Sequence, residues 1–269
     1  MAGVCTRTAM GTSTDDRETP MTEKTSYAPG EPIWTDLSSP DLAASTAFYG
    51  RLLGWTAEEP QERFGGYASW LKDGRKIAGL MPSMSPDQPP SWTTYVCSED
   101  ADKTVALVES SGGAVIAPPM AVDDLGRMAV LADPSGNVFG IWQPGTHRGA
   151  ELFAEPGAPC WSELTSQDPA ASAPFYSSVF SWSVKTSEEY IELQLDGESV
   201  AGVTDPTQGT LPGWLPYFGV DDPAAKAREA EQLGGSVVLP LAEWPGGACS
   251  IIRDPHGAML GLMRQEPSS

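Results

Sequence analysis

Two tryptophan–carboxylate pairs stand at matching places in the chain and could do acid–base chemistry. Trp34 is followed two residues later by Asp36, and Trp161 is followed two residues later by Glu163. If these segments are strands, each carboxylate shares a face with its indole, because side chains alternate along a strand. Burial beside an indole would raise the pKa of the carboxylate and poise it as a general acid or base. The alternative is that both carboxylates are simply hydrogen-bonded to neighbouring backbone or helix groups.

Further residues around these pairs are candidates for contact with a ligand. Indole rings stack on flat apolar molecules, and phenols add a hydrogen-bonding group, although tyrosines on a helix are also expected at the edge of a core. Arg127 stands where a second copy of the pattern has Ala248, and Glu192 stands where the first copy has Ser69, so two such sites would not be chemically identical. The candidate ligand-binding residues are Trp34, Trp92, Trp161, Trp214, Tyr49, Tyr176, Arg127 and Glu192.

The elements that must position these residues occur twice. The segment 34–55 aligns with 161–182, and the segment 132–141 aligns with 253–262, in the same order along the chain. Such self-similarity indicates two homologous domains joined by a linker rich in Gly and Pro. The predicted organisation is a disordered tail at 1–28, a first domain at 29–146, a linker at 147–154 and a second domain at 155–265.

Each copy divides again into two halves that follow one pattern. A short strand rich in β-branched or aromatic residues precedes a helix that starts after an acidic cap, and two or three further strands follow. The unit is β-α-β-β-β, and the chain contains four of them. The predicted fold class is α+β.

Composition excludes several partners. The formal net charge is -20, from 16 Lys+Arg against 36 Asp+Glu. Such a chain would be repelled by nucleic acid and by an anionic membrane. No stretch reaches 18 consecutive apolar residues, and no signal-peptide pattern opens the chain, so a cytoplasmic protein is expected. The four widely spaced cysteines, Cys5, Cys97, Cys160 and Cys249, are expected as reduced thiols.

The sequence lacks the common cofactor and catalytic signatures. It contains no GxGxxG after a strand, no GxxxxGK[ST], no GxSxG and no HExxH. We therefore expect no nucleotide, flavin or nicotinamide site, and no cofactor at all.

The repeated module resembles the vicinal-oxygen-chelate superfamily, which includes glyoxalases, bleomycin-resistance proteins and dioxygenases. The resemblance rests on FYGRLLGW after the first helix, on the DPSGNVFGIW hairpin and on IAGLMP in the middle of the first copy. The tandem form is similar to a two-domain branch labelled as glyoxalase-like hydroxylases. The resemblance implies that the four modules form two half-open barrels, or cups.

The resemblance also implies where a metal would lie in catalytic members. Each module would supply a His, Gln or Glu from its first strand and an acid from its last strand. The corresponding first-strand positions are Trp34, Trp92, Trp161 and Trp214, and the last-strand positions are Gly79, Gly140, Gly202 and Gly261. Indole and glycine offer no ligand for a divalent ion. We therefore expect no metal, and neither a glyoxalase I nor an extradiol dioxygenase. A Trp facing a Gly could fill the vacated space as core packing, or the indoles could line a pocket.

Three functions are consistent with this pattern. The first is a metal-independent enzyme of natural-product metabolism that acts on a planar aromatic or polycyclic metabolite, with Asp36 or Glu163 as acid or base. The second is a binding protein that sequesters such a compound, as in the bleomycin-resistance branch. The third is a structural or signalling protein whose cups are packed shut. The chain, already a pseudo-dimer, is expected as a monomer or a homodimer.

Overall fold

The computed structural model describes residues 23–187, 190–206, 209–244 and 247–265, and these residues form two domains of the same design. Each domain contains two β-α-β-β-β modules, as the sequence predicts. The first domain consists of β1 (Pro32–Ser39), α1 (Leu42–Leu53), β2 (Thr56–Ala57), β3 (Ala68–Lys72), β4 (Arg75–Pro82), β5 (Ser91–Cys97), α2 (Ala101–Ser110), β6 (Ala114–Val122), β7 (Gly126–Ala132) and β8 (Val138–Pro144).

The second domain repeats these elements in the same order. It consists of β9 (Pro159–Thr165), α3 (Pro169–Phe180), β10 (Ser183–Thr186), β11 (Ile191–Leu195), β12 (Glu198–Thr204), β13 (Gly213–Gly219), α4 (Pro223–Gln232), β14 (Ser236–Trp244), β15 (Gly247–Arg253) and β16 (Met259–Gln265).

Each domain forms one eight-stranded sheet. The strand order is β2-β3-β4-β1-β5-β8-β7-β6 in the first domain and β10-β11-β12-β9-β13-β16-β15-β14 in the second. The first strands of the two modules meet in antiparallel fashion at the centre, and each also pairs in parallel with the last strand of its own module. The α+β class and the four-module organisation are thus confirmed.

The helix starts follow directly from the sequence. Asp41, Asp100, Asp168 and Asp222 each lie just before a helix, and each carboxylate accepts a hydrogen bond from a backbone N–H of the first turn. Such caps satisfy amide groups that have no partner within the helix. Gly54 ends α1 in the left-handed conformation that glycine adopts without strain. Among the described residues, no helix is long and apolar enough to cross a membrane.

The helices lie between the two sheets and join the domains. Helix α1 contacts α4, and α2 contacts α3. Each helix pair shares one apolar core with strands from both domains. Indole groups add two matching hydrogen bonds across the interface: Trp55 donates to the carbonyl of Gly157 at 2.7 Å, and Trp182 donates to the carbonyl of Gly30 at 2.9 Å. The opposite face of each sheet forms its cup.

Residues 23–28, which the sequence assigns to a disordered tail, contact the linker. Glu23 forms a β-bridge with Leu152, and the hydroxyl of Tyr27 donates to the carbonyl of Ala150 at 2.8 Å. The linker in turn bonds to β1 through the amide of Ala150 and the carbonyl of Ile33. This part of the expected tail is therefore part of the fold, while residues 1–22 lie outside the described residues.

Candidate functional site

The strand register places Asp36 at the centre of the first cup. Asp36 pairs with Gly79 on β4 and with Thr93 on β5, and Trp34 pairs with Tyr95. Partners in register direct their side chains to the same face of a sheet. These five residues therefore share the cup face, and Asp36 is only 7% exposed there.

Three donors surround the Asp36 carboxylate. Trp34 Nε1 and the hydroxyl of Tyr67 donate to Oδ1 at 2.7 and 2.8 Å. The hydroxyl of Tyr95 also hydrogen-bonds the carboxylate. Trp34 Nε1 lies 2.9 Å from the Tyr67 oxygen as well, so the indole bridges the carboxylate and the phenol. We call Trp34, Asp36, Tyr67 and Tyr95 the first phenol–carboxylate cluster.

The second cup contains the equivalent arrangement. The hydroxyl of Tyr190 donates to Glu163 Oε2, and the hydroxyl of Tyr217 donates to Glu163 Oε1, both at 3.0 Å. Trp161 Nε1 donates to the Tyr190 oxygen at 3.0 Å. Trp161, Glu163, Tyr190 and Tyr217 form the second phenol–carboxylate cluster. The same four side-chain types, with Glu in place of Asp, therefore occupy both cups.

Removal from water dominates the electrostatics of both clusters. It raises the pKa of Asp36 from 3.8 to about 6, although the bonds from Tyr67, Trp34 and Tyr95 act in the opposite direction. It raises the pKa of Glu163 for the same reason, against the bonds from Tyr190 and Tyr217. The side chains that shift these two pKa values are tryptophan and tyrosine, and none of them is a cation. The carboxylates are therefore held by neutral donors.

A tyrosine covers each of the four glycines on the last strands. A Cβ atom added at any of these glycines would collide with the phenol beside it, and at Gly79 also with Asp36. The close approach of each ring thus requires a glycine below it. The sequence suggested that tryptophan faces these glycines, whereas the structure places tyrosine there. The pairs are Gly79 with Tyr67, Gly140 with Tyr95, Gly202 with Tyr190 and Gly261 with Tyr217.

Trp92 and Trp214 do not face the cups. Trp92 pairs with Leu37, on the helix side of the sheet, and its indole donates to the Tyr49 hydroxyl at 3.3 Å. The physical reason is spacing: Trp34 lies seven residues before its capping Asp41, whereas Trp92 lies eight residues before Asp100. A one-residue shift reverses the face of a strand side chain.

Tyr49 and Tyr176 belong to matching interdomain contacts. The hydroxyl of Tyr49 donates to Asp254 Oδ2, and the hydroxyl of Tyr176 donates to Asp133 Oδ2, both at 3.1 Å. Trp214 Nε1 donates to the Tyr176 oxygen at 2.9 Å. These side chains connect a helix of one domain to a turn of the other. The structure therefore places them in the interior, away from either cup.

Arg127 and Glu192 lie in different environments. The Arg127 guanidinium forms an ion pair with Asp102 of α2 at 2.7 Å, on the helix side of the sheet. Glu192 pairs in register with Gly202 and so lies on the wall of the second cup, where Lys185 Nζ is 3.1 Å from Glu192 Oε2. Of these two candidates, only Glu192 is near a carboxylate cluster.

Sequence comparison places both domains in one superfamily. The sequence model of the Glyoxalase/Bleomycin resistance protein/Dioxygenase superfamily matches residues 33–141, and the model of a glyoxalase-like domain matches residues 162–263. The anthracycline biosynthesis protein DnrV of Streptomyces peucetius is 37% identical, over 89% of this chain and 94% of that protein. This chain belongs to the glyoxalase/bleomycin resistance/dioxygenase superfamily.

Other members of the superfamily are similar along most of the chain. The anthracycline biosynthesis protein DauV of Streptomyces sp. strain C5 is 38% identical, over 89% of this chain and 94% of that protein. CFP32 of Mycobacterium tuberculosis, which is named as a glyoxylase, is 33% identical over 92% of this chain and 99% of that protein. The Mn(II)-bound glyoxalase from Novosphingobium aromaticivorans has the same fold, with a TM-score of 0.63 and 15% identity over 87% of this chain and 82% of that one.

The donor set of neither cup fits the divalent metal of the superfamily's catalytic members. Each phenol–carboxylate cluster contains one carboxylate, both oxygens of Glu163 already accept bonds from phenols, and the second carboxylate of that cup, Glu192, is paired with Lys185. Side chains on the last strands cannot add ligands, because Gly79 and Gly202 lie directly against phenol hydroxyls. Within the described residues, no group of three or more His, Cys, Asp or Glu side chains could hold an ion. The phenol–carboxylate clusters occupy this space instead.

The four tyrosines of the two phenol–carboxylate clusters are not among the residues predicted from the sequence, although the internal repeat indicates them. Tyr67 and Tyr190 occupy the same place in the two copies, as do Tyr95 and Tyr217. A residue that is repeated in both copies and lies opposite a strand carboxylate is a candidate partner for it. The ring of His147 in the linker also lies near the first cluster and packs edge-on against Trp34, with 4.5 Å between the ring centres.

Among the described residues, two of the cavities lie where the domains meet. The smaller, of about 20 Å³, touches both Trp34 and Trp161. It has room for about one water molecule and not for a metabolite. The larger, of about 300 Å³, is an open groove on the helix side, lined in part by Arg51, Lys72 and Lys226. Neither cavity is lined by Asp36 or Glu163.

Proposed function

We propose that this protein binds a planar aromatic or polycyclic metabolite in a cup, and that the phenol–carboxylate cluster there transfers a proton to or from it. The observation that carries the proposal is the environment of Asp36, whose pKa of about 6 allows the carboxyl to exchange a proton near neutral pH. The 37–38% identity to two anthracycline biosynthesis proteins supports a role in secondary metabolism and a polycyclic aromatic ligand.

The phenol of Tyr67 is the group through which Asp36 would act. Asp36 is 7% exposed, whereas Tyr67 is only partly buried and donates its hydroxyl proton to Asp36 Oδ1. A proton leaving the ligand would pass to the Tyr67 oxygen while the phenol proton passes to Asp36. The reverse transfer would return a proton to the ligand. Burial raises the pKa of Tyr67 well above 10, so the phenol stays protonated between turnovers. The reaction class is a proton-transfer-driven rearrangement.

Sequestration without chemistry is the second candidate, and one observation favours it. Asp36 and Glu163 both accept hydrogen bonds from neutral side chains, in equivalent arrangements. A satisfied buried network can serve to hold a cup in shape rather than to react. The bound ligand would then leave the cup unchanged.

Paired variants separate the two functions. The probe is a tetracyclic hydroxyanthraquinone, added to the full chain while tryptophan fluorescence is recorded. An enzyme should keep its binding in Asp36→Asn or Glu163→Gln and lose turnover by about 100-fold or more in one of them. A sequestering protein should bind the probe and return it unchanged on mass analysis, in the wild type as well as in the variants. If the wild type gives no saturable quenching, both functions fail.

A further inference from the structure

The two cups differ in the wall that the second module of each domain supplies. In the first cup, Val130 pairs in register with Gly140, which pairs with Tyr95 of the cluster. Met128, two residues before Val130, therefore lies on the same cup face. In the second cup the corresponding residues are Ile251 and Cys249, which pair with Gly261 and Met263.

Equivalent positions of this wall are more exposed in the first cup than in the second. Met128 and Val130 are partly exposed, and Met120 on β6, which pairs with Met128, is 52% exposed. In the second cup Ile251 is 4% exposed and Cys249 is 7% exposed, within an apolar cluster. Beside its cluster, the first cup therefore presents more apolar surface to solvent than the second, whose exposed apolar side chain on this face, Trp244, lies at the end of β14 and is 41% exposed.

The residue opposite each carboxylate accounts for part of the difference. Asp36 lies opposite Thr93, which is partly exposed, while Glu163 lies opposite Leu215, which is 4% exposed. Leucine at this position fills the centre of the second cup next to the carboxylate. The wall that the first module of the second domain supplies carries charged side chains, because Glu192 and Lys185 form their ion pair there.

We propose that the first cup, and not the second, takes the planar aromatic ligand, with its apolar face on the Met120–Met128–Val130 wall and one polar edge toward Tyr67. This inference rests on the proposed function. Methionine side chains are flexible and polarizable, so they adapt to a flat ring system and contact it favourably. The adjacent cluster supplies the few polar groups that orient a ligand in an otherwise apolar site.

Equivalent positions provide a matched test. Met120 pairs with Met128, and Ala242 pairs with Cys249, so Met120→Glu and Ala242→Glu place one carboxylate at the same point of each cup. With a tetracyclic hydroxyanthraquinone as the probe, Met120→Glu should raise the Kd about tenfold or more, because a charge disfavours apolar contact. Ala242→Glu should change the Kd less than twofold. Circular dichroism and the urea midpoint of each variant establish that it is folded.

Each other outcome overturns the inference in a recognisable way. If Ala242→Glu weakens binding and Met120→Glu does not, the ligand lies in the second cup, while the proposed function stands. If both variants bind like the wild type, the ligand lies outside both walls. If sedimentation shows a wild-type dimer that Met120→Glu dissociates, the wall is an interface between copies. If the wild type does not bind the probe, the proposed function itself has failed.

Discussion

The free energy of unfolding of this protein should vary with pH because the Asp36 carboxyl is buried. Below about pH 4, Asp36 is protonated in both the folded and the unfolded chain. Between pH 4 and 6, the folded protein still holds the proton that the unfolded chain has lost, because burial raises the folded pKa from 3.8 to about 6. Folding stability must then fall as the pH rises through this window, since the native state binds more protons.

The size of this effect follows from the pKa. Each pH unit of difference corresponds to about 1.36 kcal/mol, so a rise from 3.8 to about 6 costs the folded state about 3 kcal/mol by pH 7. Asp36→Asn removes the titrating group. The free energy of unfolding of the variant minus that of the wild type should therefore increase by about 3 kcal/mol between pH 3 and pH 7, whatever its starting value.

Urea denaturation of both proteins at closely spaced pH values measures this difference. Glu59→Gln serves as the control for the loss of a carboxylate from an exposed site. Glu163→Gln should repeat the trend, since burial raises the pKa of Glu163 as well. A difference that stays constant for Asp36→Asn, or that decreases with pH, would refute the reasoning. It would show that the hydrogen bonds from the phenol and indole donors offset or outweigh the effect of desolvation on the pKa of Asp36.

Three further predictions concern contacts of the fold, all measured by urea denaturation. Gly202→Ala should destabilise the protein by about 1–3 kcal/mol because its methyl group collides with Tyr190, and Tyr190→Ala should remove most of that penalty; additive effects would contradict the contact. Trp55→Phe and Trp182→Phe should each cost about 1–3 kcal/mol by leaving an interdomain carbonyl without its donor, and a neutral result would show that water replaces the indole. Tyr49→Phe should lower the free energy of unfolding by about 1.5–3 kcal/mol, because it removes a hydrogen bond to a buried carboxylate. Stability equal to the wild type would show that this bond does not stabilise the fold.

Much of the fold could be predicted because its signals are local. The aspartates before each helix act through backbone amides one turn away, so their role is visible in a short segment. Asp133 and Asp254 likewise accept bonds from the amides that follow them. The internal repeat then required that both halves adopt the same arrangement, which the two sheet orders confirm.

Only those residues of the candidate site that lie on the same strand could be predicted to share a face, because side chains alternate along a strand. Trp34 and Asp36 lie on one strand and share a face, as their spacing requires. Trp92 lies on a neighbouring strand, and its face depends on register, which a one-residue difference in spacing reversed. Sequence similarity between the copies could not supply that register.

The sequence by itself determined the four modules, the two domains and the pairing of one carboxylate with one indole in each. Only the tertiary structure decided what surrounds those carboxylates, because Tyr67 lies just before β3 and Tyr95 lies on β5, about 30 and 60 residues away from Asp36 along the chain. It also decided that Met128 and Val130 of the first cup are partly exposed, while the equivalent Cys249 and Ile251 of the second are buried. Exposure depends on which side chains meet across strands, and no single segment of the chain contains that information.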